Sequence, residues 1–264
     1  MPARAAVEAL LKERKLDRTL TSNLPERLRE DAVAPLGTDA LDRALSGGLP
    51  RGQVSEVVGP ASSGRTSLAW AALSTATQRG ESVALIDTFD RFDPPTAHAC
   101  GIELSKLLWV RGQAVSKTTG AIDPAWLPGV RAVSGPGTFM ERVIDRAIKA
   151  LNLVVQSRVC TLVVIDLVDV PAAALRRLPA STWFRIERAI EGSDTAVLIL
   201  AAVPVARSVG GRSIHLGSDT SVVWKGDHDR TRRVGGVRGR ASIGAARWSH
   251  TQSVEIEISM LNAV

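Results

Sequence analysis

The residues with the clearest chemistry are Gly59, Pro60, Ala61, Ser62, Ser63, Gly64, Arg65 and Thr66. A short apolar run precedes them and an Ala-rich stretch comes after. Holding a phosphate needs backbone N–H groups aimed at its oxygens, with a helix N-terminus behind them. Gly59 and Gly64 permit the tight loop this requires, and Ser62, Ser63 and Ser67 add hydroxyls. Thr66 can place its hydroxyl on Mg²⁺. The spacing is that of a phosphate-binding loop, G-x-x-x-x-G-[K]-[ST], with Arg65 standing where Lys belongs. A second carboxylate element is Asp166, which ends the apolar run Leu162, Val163, Val164, Ile165. An Asp at a strand end is where a metal-ordering carboxylate sits, so Thr66 and Asp166 form the expected Mg²⁺ pair.

The elements that must position these groups read as alternating strands and helices. Residues 54–58, 82–87, 107–110, 162–165 and 197–202 are expected strands; residues 67–79, 138–156 and 181–191 are expected helices, Ser181 being an N-cap candidate. This order predicts an α/β fold with a mostly parallel twisted sheet flanked by helices. Further strands at 221–225 and 253–259 predict antiparallel additions near the C-terminus. Residues 111–137 are rich in Gly, Pro, Ser and Thr and read as a long loop. Residues 5–20 read as an amphipathic helix carrying Leu10, Leu11, Leu16 and Leu20. The expected organisation is an N-terminal arm over residues 1–34 and one core over residues 35–264. The arm's leucines are the candidate partner-binding face, for another protein, for its own core or for a second copy.

Composition narrows the class. No apolar stretch in the 264 residues is long enough to span a membrane, and residues 1–5 lack the pattern of a secretion signal. Cys100 and Cys160 stand alone, without metal or disulfide spacing, and the four His have no metal spacing either. A cytoplasmic location is expected. The formal charge of +6 is unevenly placed. Residues 204–250 hold nine basic side chains against Asp219, Asp227 and Asp229, which is the whole excess. Such a concentration is the electrostatic footprint expected for a polyanion. Arg207, Arg212, Arg230, Arg232, Arg233, Arg238 and Arg240 are therefore candidate DNA contacts, with Arg176 and Arg177 a second cluster. Trp224 and Trp248 could stack on bases, but burial in the core is the reading preferred for both.

The run Ser46-Gly47-Gly48-Leu49-Pro50-Arg51-Gly52-Gln53-Val54-Ser55-Glu56-Val57-Val58, continuing through the 59–66 loop, resembles the bacterial RecA segment around its phosphate loop. Ala84-Leu85-Ile86-Asp87 and Asp93-Pro94 resemble the strand and turn beyond it, and Gly210-Gly211 the glycine pair closing the second DNA loop. The likeness covers about residues 35 to 225 and is strong to residue 110, with no equivalent of the RecA C-terminal domain expected.

The resemblance implies a RecA-like fold with ATP and Mg²⁺ as cofactors and DNA as partner. The departures imply lost hydrolysis. Phe89 stands where the family's water-activating Glu belongs, Arg65 replaces the Lys, and Ala201-Ala202 replaces the Asn-Gln pair that senses the γ-phosphate. A kept core with lost catalysis and an added arm is similar to ImuA, the RecA-like member of the bacterial mutasome. That likeness implies an accessory role in SOS-induced translesion mutagenesis at the nucleoid. Its implied partners are single-stranded DNA, a Y-family polymerase-like protein of the ImuB type, and RecA. Two alternatives stay open: an active ATP-dependent strand-exchange recombinase, and a modulator of RecA filaments.

Overall fold

The computed structural model describes residues 33–112, 139–206, 211–245 and 252–259. The helix expected over residues 5–20, with Leu10, Leu11, Leu16 and Leu20, lies outside the described residues, as do Arg207 and Trp248. Four apolar segments make the centre of the fold: β3 (Val54–Val58), β4 (Val83–Asp87), β6 (Leu162–Asp166) and β7 (Ala196–Ala201). β4, β6 and β7 are nearly unbroken in hydrophobicity because helices cover both faces of the sheet, while β3 carries Ser55 and Glu56 among its valines. Alternate side chains then part to opposite layers. Val57, Leu85, Val164 and Leu198 enter one core, while Val58, Ile86, Ile165 and Ile199 enter the other.

The first layer is closed by α2 (Arg65–Gln78), which buries Leu68, Ala69, Ala72, Leu73 and Ala76. Leu68 and Leu73 are fully buried, each contributing roughly 2 kcal/mol by transfer from water. A shorter helix, α1 (Asp39–Ala44), adds Leu41. The second layer is closed by α4 (Phe139–Ser157) and α6 (Ala180–Ile190), through Ile144, Leu151, Trp183 and Ile186. The strand pair β1 (Val33–Ala34) and β2 (Leu49–Pro50), and the helices α3 (Pro94–Ala99) and α5 (Ala172–Arg176), complete the connections.

With β5 (Leu107–Arg111), β8 (Arg212–Leu216), β10 (Arg233–Ala245) and β11 (Gln252–Ser259), the sheet order is β11-β10-β8-β3-β7-β6-β4-β5. The six strands from β8 to β5 are parallel; β10 and β11 run antiparallel, and β9 (Ser221–Lys225) pairs with the first half of β10. The α/β architecture with C-terminal antiparallel strands is therefore as the periodicity implies.

Some local expectations need correction. The last long helix starts at Ala180 behind Pro179, so Ser181 lies inside its first turn rather than capping it. β8 and β10 occupy parts of the basic 204–250 stretch to which the sequence reading assigns no strand. Trp224 is not a core residue: it is 51% exposed on β9, with the Arg232 guanidinium 5.0 Å from its ring centre.

Strand register sets which groups share an edge of the sheet. Val58 pairs with Ala201, Asp166 with Leu200, and Asp87 with Asp166. The C-terminal ends of β3, β7, β6 and β4 thus form one rim, with β7 inserted between the loop strand and the Asp166 strand.

Candidate phosphate-binding site

The 59–66 loop leaves β3 at this rim and turns into α2. The chain makes the turn by adopting positive φ at Ser62 (62°) and at Gly64 (92°), the latter at the N-cap position of α2. Gly64 adopts this conformation without the penalty of a Cβ. Space also selects Gly59, since a Cβ there would lie 2.6 Å from Ser63 Oγ and 2.8 Å from the Leu216 carbonyl oxygen.

Gly64 at the N-cap has no side chain to cap α2, and the positive end of the helix dipole points at the loop. Ser63 and Arg65 are 5% and 6% exposed, and Ser63 Oγ and Arg65 Nη1 are buried without a hydrogen-bond partner. Buried polar groups are nearly always satisfied, so two orphans beside an uncapped helix start fit a phosphate. Thr66 is exposed and Ser62 also faces solvent.

Across the rim, Asp166 Oδ1 accepts from the Val168 N–H at 2.9 Å, while Oδ2 has no hydrogen bond among the described residues. Burial pushes the Asp166 carboxyl up to about 6; Asp87 and Asp169 add to this, against the Val168 N–H and Arg65. Burial also lowers the Arg65 guanidinium, with Asp166 and Asp169 pulling it back. Among the described residues no cluster of three His, Cys, Asp or Glu side chains can hold a metal alone. Thr66 and Asp166 suit Mg²⁺ as a pair completed by phosphate oxygens and water, in which the metal would draw charge from the phosphate. A cleft of about 360 Å³ lies between them, lined also by Trp70, Arg91, Phe92 and Asp169.

Among the described residues, the positions expected to activate water carry an apolar side chain or a carboxylate already engaged. Phe89 is 5% exposed and packs in the second core layer with Val143, Ile144 and Ala147. Ala201 is buried and Ala202 exposed, and neither offers more than a methyl group. Asp87 accepts from the Arg91 N–H (2.8 Å), the Phe92 N–H (2.8 Å) and Trp109 Nε1 (3.1 Å). Asp90 is forked by Arg111, and Asp169 meets Arg91 Nε at 3.3 Å.

Sequence reasoning did not single out Arg91 or Asp169. They lie on loops after β4 and β6, and only strand order brings them together. Glu56 was missed as well. Its Oε2 accepts from the Val205 and Ala206 N–H groups, both at 2.9 Å, and its Oε1 accepts from Ser213 Oγ at 2.8 Å. Ser55 Oγ accepts from the Arg212 N–H at 3.1 Å, so β3 side chains hold Val205, Ala206 and Arg212.

The arginines expected to contact DNA are distributed over separate elements. Arg176 ends α5, and Arg177 approaches Glu141 at 3.6 Å. Arg212 opens β8 with its Nε buried. Arg230, Arg232 and Arg233 are exposed on the hairpin between β9 and β10, Arg232 pairing with Asp229 at 3.0 Å. Arg238 and Arg240 share the outer face of β10, where Arg238 meets Glu257 at 2.8 Å and Arg240 approaches Asp219 at 3.9 Å. Over 211–245 and 252–259, seven basic side chains face five acidic ones, so β11 neutralises part of the excess.

A parallel sheet with a phosphate loop at one strand end and a carboxylate two strands away defines a P-loop α/β protein. Residues 13–120 match the RecA N-terminal domain. Protein RecA of Salinispora tropica is 48% identical over 80 residues, 30% of this chain and 23% of that protein. RecA of Streptomyces avermitilis is 42% identical over 98 residues, covering 36% and 26%. RecA of Lactobacillus delbrueckii is 37% identical over 111 residues, covering 40% and 33%. Over this segment the chain is similar to RecA, and the alignments span only a quarter to a third of the relatives' length. No helix among the described residues is long and apolar enough to cross a membrane.

Proposed function

We propose that this chain is a RecA-like DNA-repair accessory protein whose phosphate loop is kept as a scaffold and does not turn over ATP. The observation that carries this reading is Phe89, packed in the apolar core at the position where a water-activating carboxylate belongs. A phenyl ring neither accepts a proton nor orients water, and the loss of a general base costs about 10²–10⁴-fold. Arg65 and the Ala201-Ala202 pair support the same reading, as does the engagement of Asp87, Asp90 and Asp169.

The activity lies instead in binding. The exposed arginines of the β9–β10 hairpin offer contacts to the phosphates of single-stranded DNA. The N-terminal leucines offer a surface to a protein, and the role is accessory to damage-induced translesion synthesis beside a Y-family polymerase-like protein and RecA. The test is ATP turnover by the full chain, with and without single-stranded DNA, beside an active RecA. Turnover at background with salt-sensitive DNA binding is expected. DNA-stimulated turnover at the RecA rate ends this reading in favour of a recombinase.

A further inference from the structure

We propose that the cleft beyond the 59–66 loop binds a phosphate-bearing anion without a divalent cation, the positive charge coming from Arg65 and Arg91. The inference rests on the loop being an intact phosphate scaffold, and is independent of whether ATP is hydrolysed.

Four observations lead to it. Arg65 is nine-tenths buried, yet its Nη1 has no partner, so the donors on that nitrogen are unspent at the rim. Ser63 Oγ, equally buried, is unspent beside it. Arg91 lines the same cleft as Thr66 and Asp166. Its backbone N–H is anchored on Asp87 Oδ1 at 2.8 Å and its Nε sits 3.3 Å from Asp169 Oδ2, while its side chain remains one-third exposed.

The electrostatics of the rim explain why two guanidiniums matter. Asp87, Asp166 and Asp169 place three carboxylates where a phosphate must approach, and like charges repel it. A site with a single ammonium needs a divalent ion to overcome that repulsion. A guanidinium stays charged, and its planar fork of five donors can hold a carboxylate on one edge and a phosphate on another. Arg91 already spends its Nε edge on Asp169, which leaves the terminal nitrogens for a ligand. Arg65 lies where the Asp166 and Asp169 charges act on it. Together the two side chains screen the acidic wall that a metal would otherwise have to screen.

The shared chemistry is a phosphate group, free or on a nucleotide. The experiment is calorimetric titration of the full chain with pyrophosphate, ADP and ATP, each with Mg²⁺ and with chelator in its place. Affinities agreeing within about twofold between the two conditions are expected. Arg91→Ala should weaken chelator-condition binding by about tenfold or more, the loss of one charge-assisted contact. ADP and ATP binding well above pyrophosphate identifies a nucleotide as the source, and equal binding identifies the phosphate alone.

Binding that requires Mg²⁺ overturns the inference and leaves the scaffold reading standing. No binding of any probe in either condition overturns both. Metal-independent binding that Arg91→Ala leaves unchanged removes Arg91 from it and so overturns it as stated. Should Arg91→Ala fail to fold, Arg91→Gln serves the same comparison, and the wild-type Mg²⁺ test needs no variant.

Discussion

Arg111 forks the Asp90 carboxylate through Nε at 2.9 Å and Nη2 at 2.8 Å, one residue beyond Phe89. Its guanidinium also lies 4.6 Å from the Trp109 ring centre, so it is held from two sides. The bond to Arg111 keeps the Asp90 carboxyl below its ordinary range, outweighing its burial. Asp90 is the carboxylate nearest in sequence to the lost base, and the fork denies it to a water. Arg111→Ala frees it. The expected result is turnover still at background, because Asp90 sits at φ 56° on a turn leading away from the strand. Stability should change little, since Arg111 is largely exposed and its pair with Asp90 is screened by solvent. A phosphate-release assay and urea unfolding read the two outcomes. DNA-stimulated turnover in this variant would identify Asp90 as a latent base.

Phe89→Glu puts a carboxylate where the proposed function has the base lost, and the packing around it argues against a rescue. The ring fills the layer shared by Val143, Ile144 and Ala147. Replacing it loses core contacts and buries a charge with no partner, at a cost of about 3 kcal/mol or more. Turnover should not return, because Ala201 and Ala202 supply no polar group opposite. Urea unfolding checks the first claim; a variant as stable as wild type shows that the position opens to solvent.

The strands around the site were legible because their chemistry is local. Val163, Val164 and Ile165 before Asp166, and Val57 and Val58 before Gly59, announce buried strands ending in functional groups without any tertiary knowledge. β10 was not legible. Gly235, Gly236, Gly239 and Gly244 interrupt it and arginines fill its outer face, so no apolar alternation marks a strand before Glu257 is seen opposite Arg238. Trp224 misled for a related reason. Its ring faces solvent under Arg232, whereas large aromatics are usually buried. Arg91 and Asp169 needed the strand order itself, which places the loops after β4 and β6 side by side.

Glu81 ties the start of β4 to three other segments. It accepts from Arg51 Nη2 on both oxygens at 3.1 Å, from Arg79 at 2.6 Å and from Thr161 Oγ1 at 2.6 Å. Burial alone would raise its carboxyl, but the Thr161 hydroxyl, Arg51 and Arg79 outweigh it and leave the folded value lowered. A lowered folded value means stability that is fully present above the unfolded carboxylate range, about 4.3. That stability is lost as pH falls through the folded value. Glu81→Gln should therefore destabilise by roughly 2 kcal/mol at neutral pH, with the difference from wild type shrinking steadily in acid. Urea midpoints across a pH series test this. A pH-independent difference indicates that packing rather than charge holds the hub.

The basic hairpin and the outer face of β10 carry similar arginines in different electrostatic company, and salt dependence separates them. Arg230 and Arg233 have no acidic partner among the described residues, and Arg232 shares only the highly exposed Asp229. Arg238 must leave Glu257 before it can meet a phosphate, and Arg240 has Asp219 nearby. Each phosphate neutralised on a single strand contributes a slope of about −0.7 in log affinity against log salt. Replacing Arg230, Arg232 and Arg233 together with Ala should flatten the slope by about 2 and weaken binding at low salt. Arg238→Ala should flatten it by less than about 0.5, because it removes one member of an existing ion pair. Fluorescence anisotropy with a labelled oligonucleotide at several salt concentrations gives both slopes. Equal effects from the two substitutions place the DNA track on β10, while a slope unchanged by the triple substitution removes the hairpin from the DNA contact altogether.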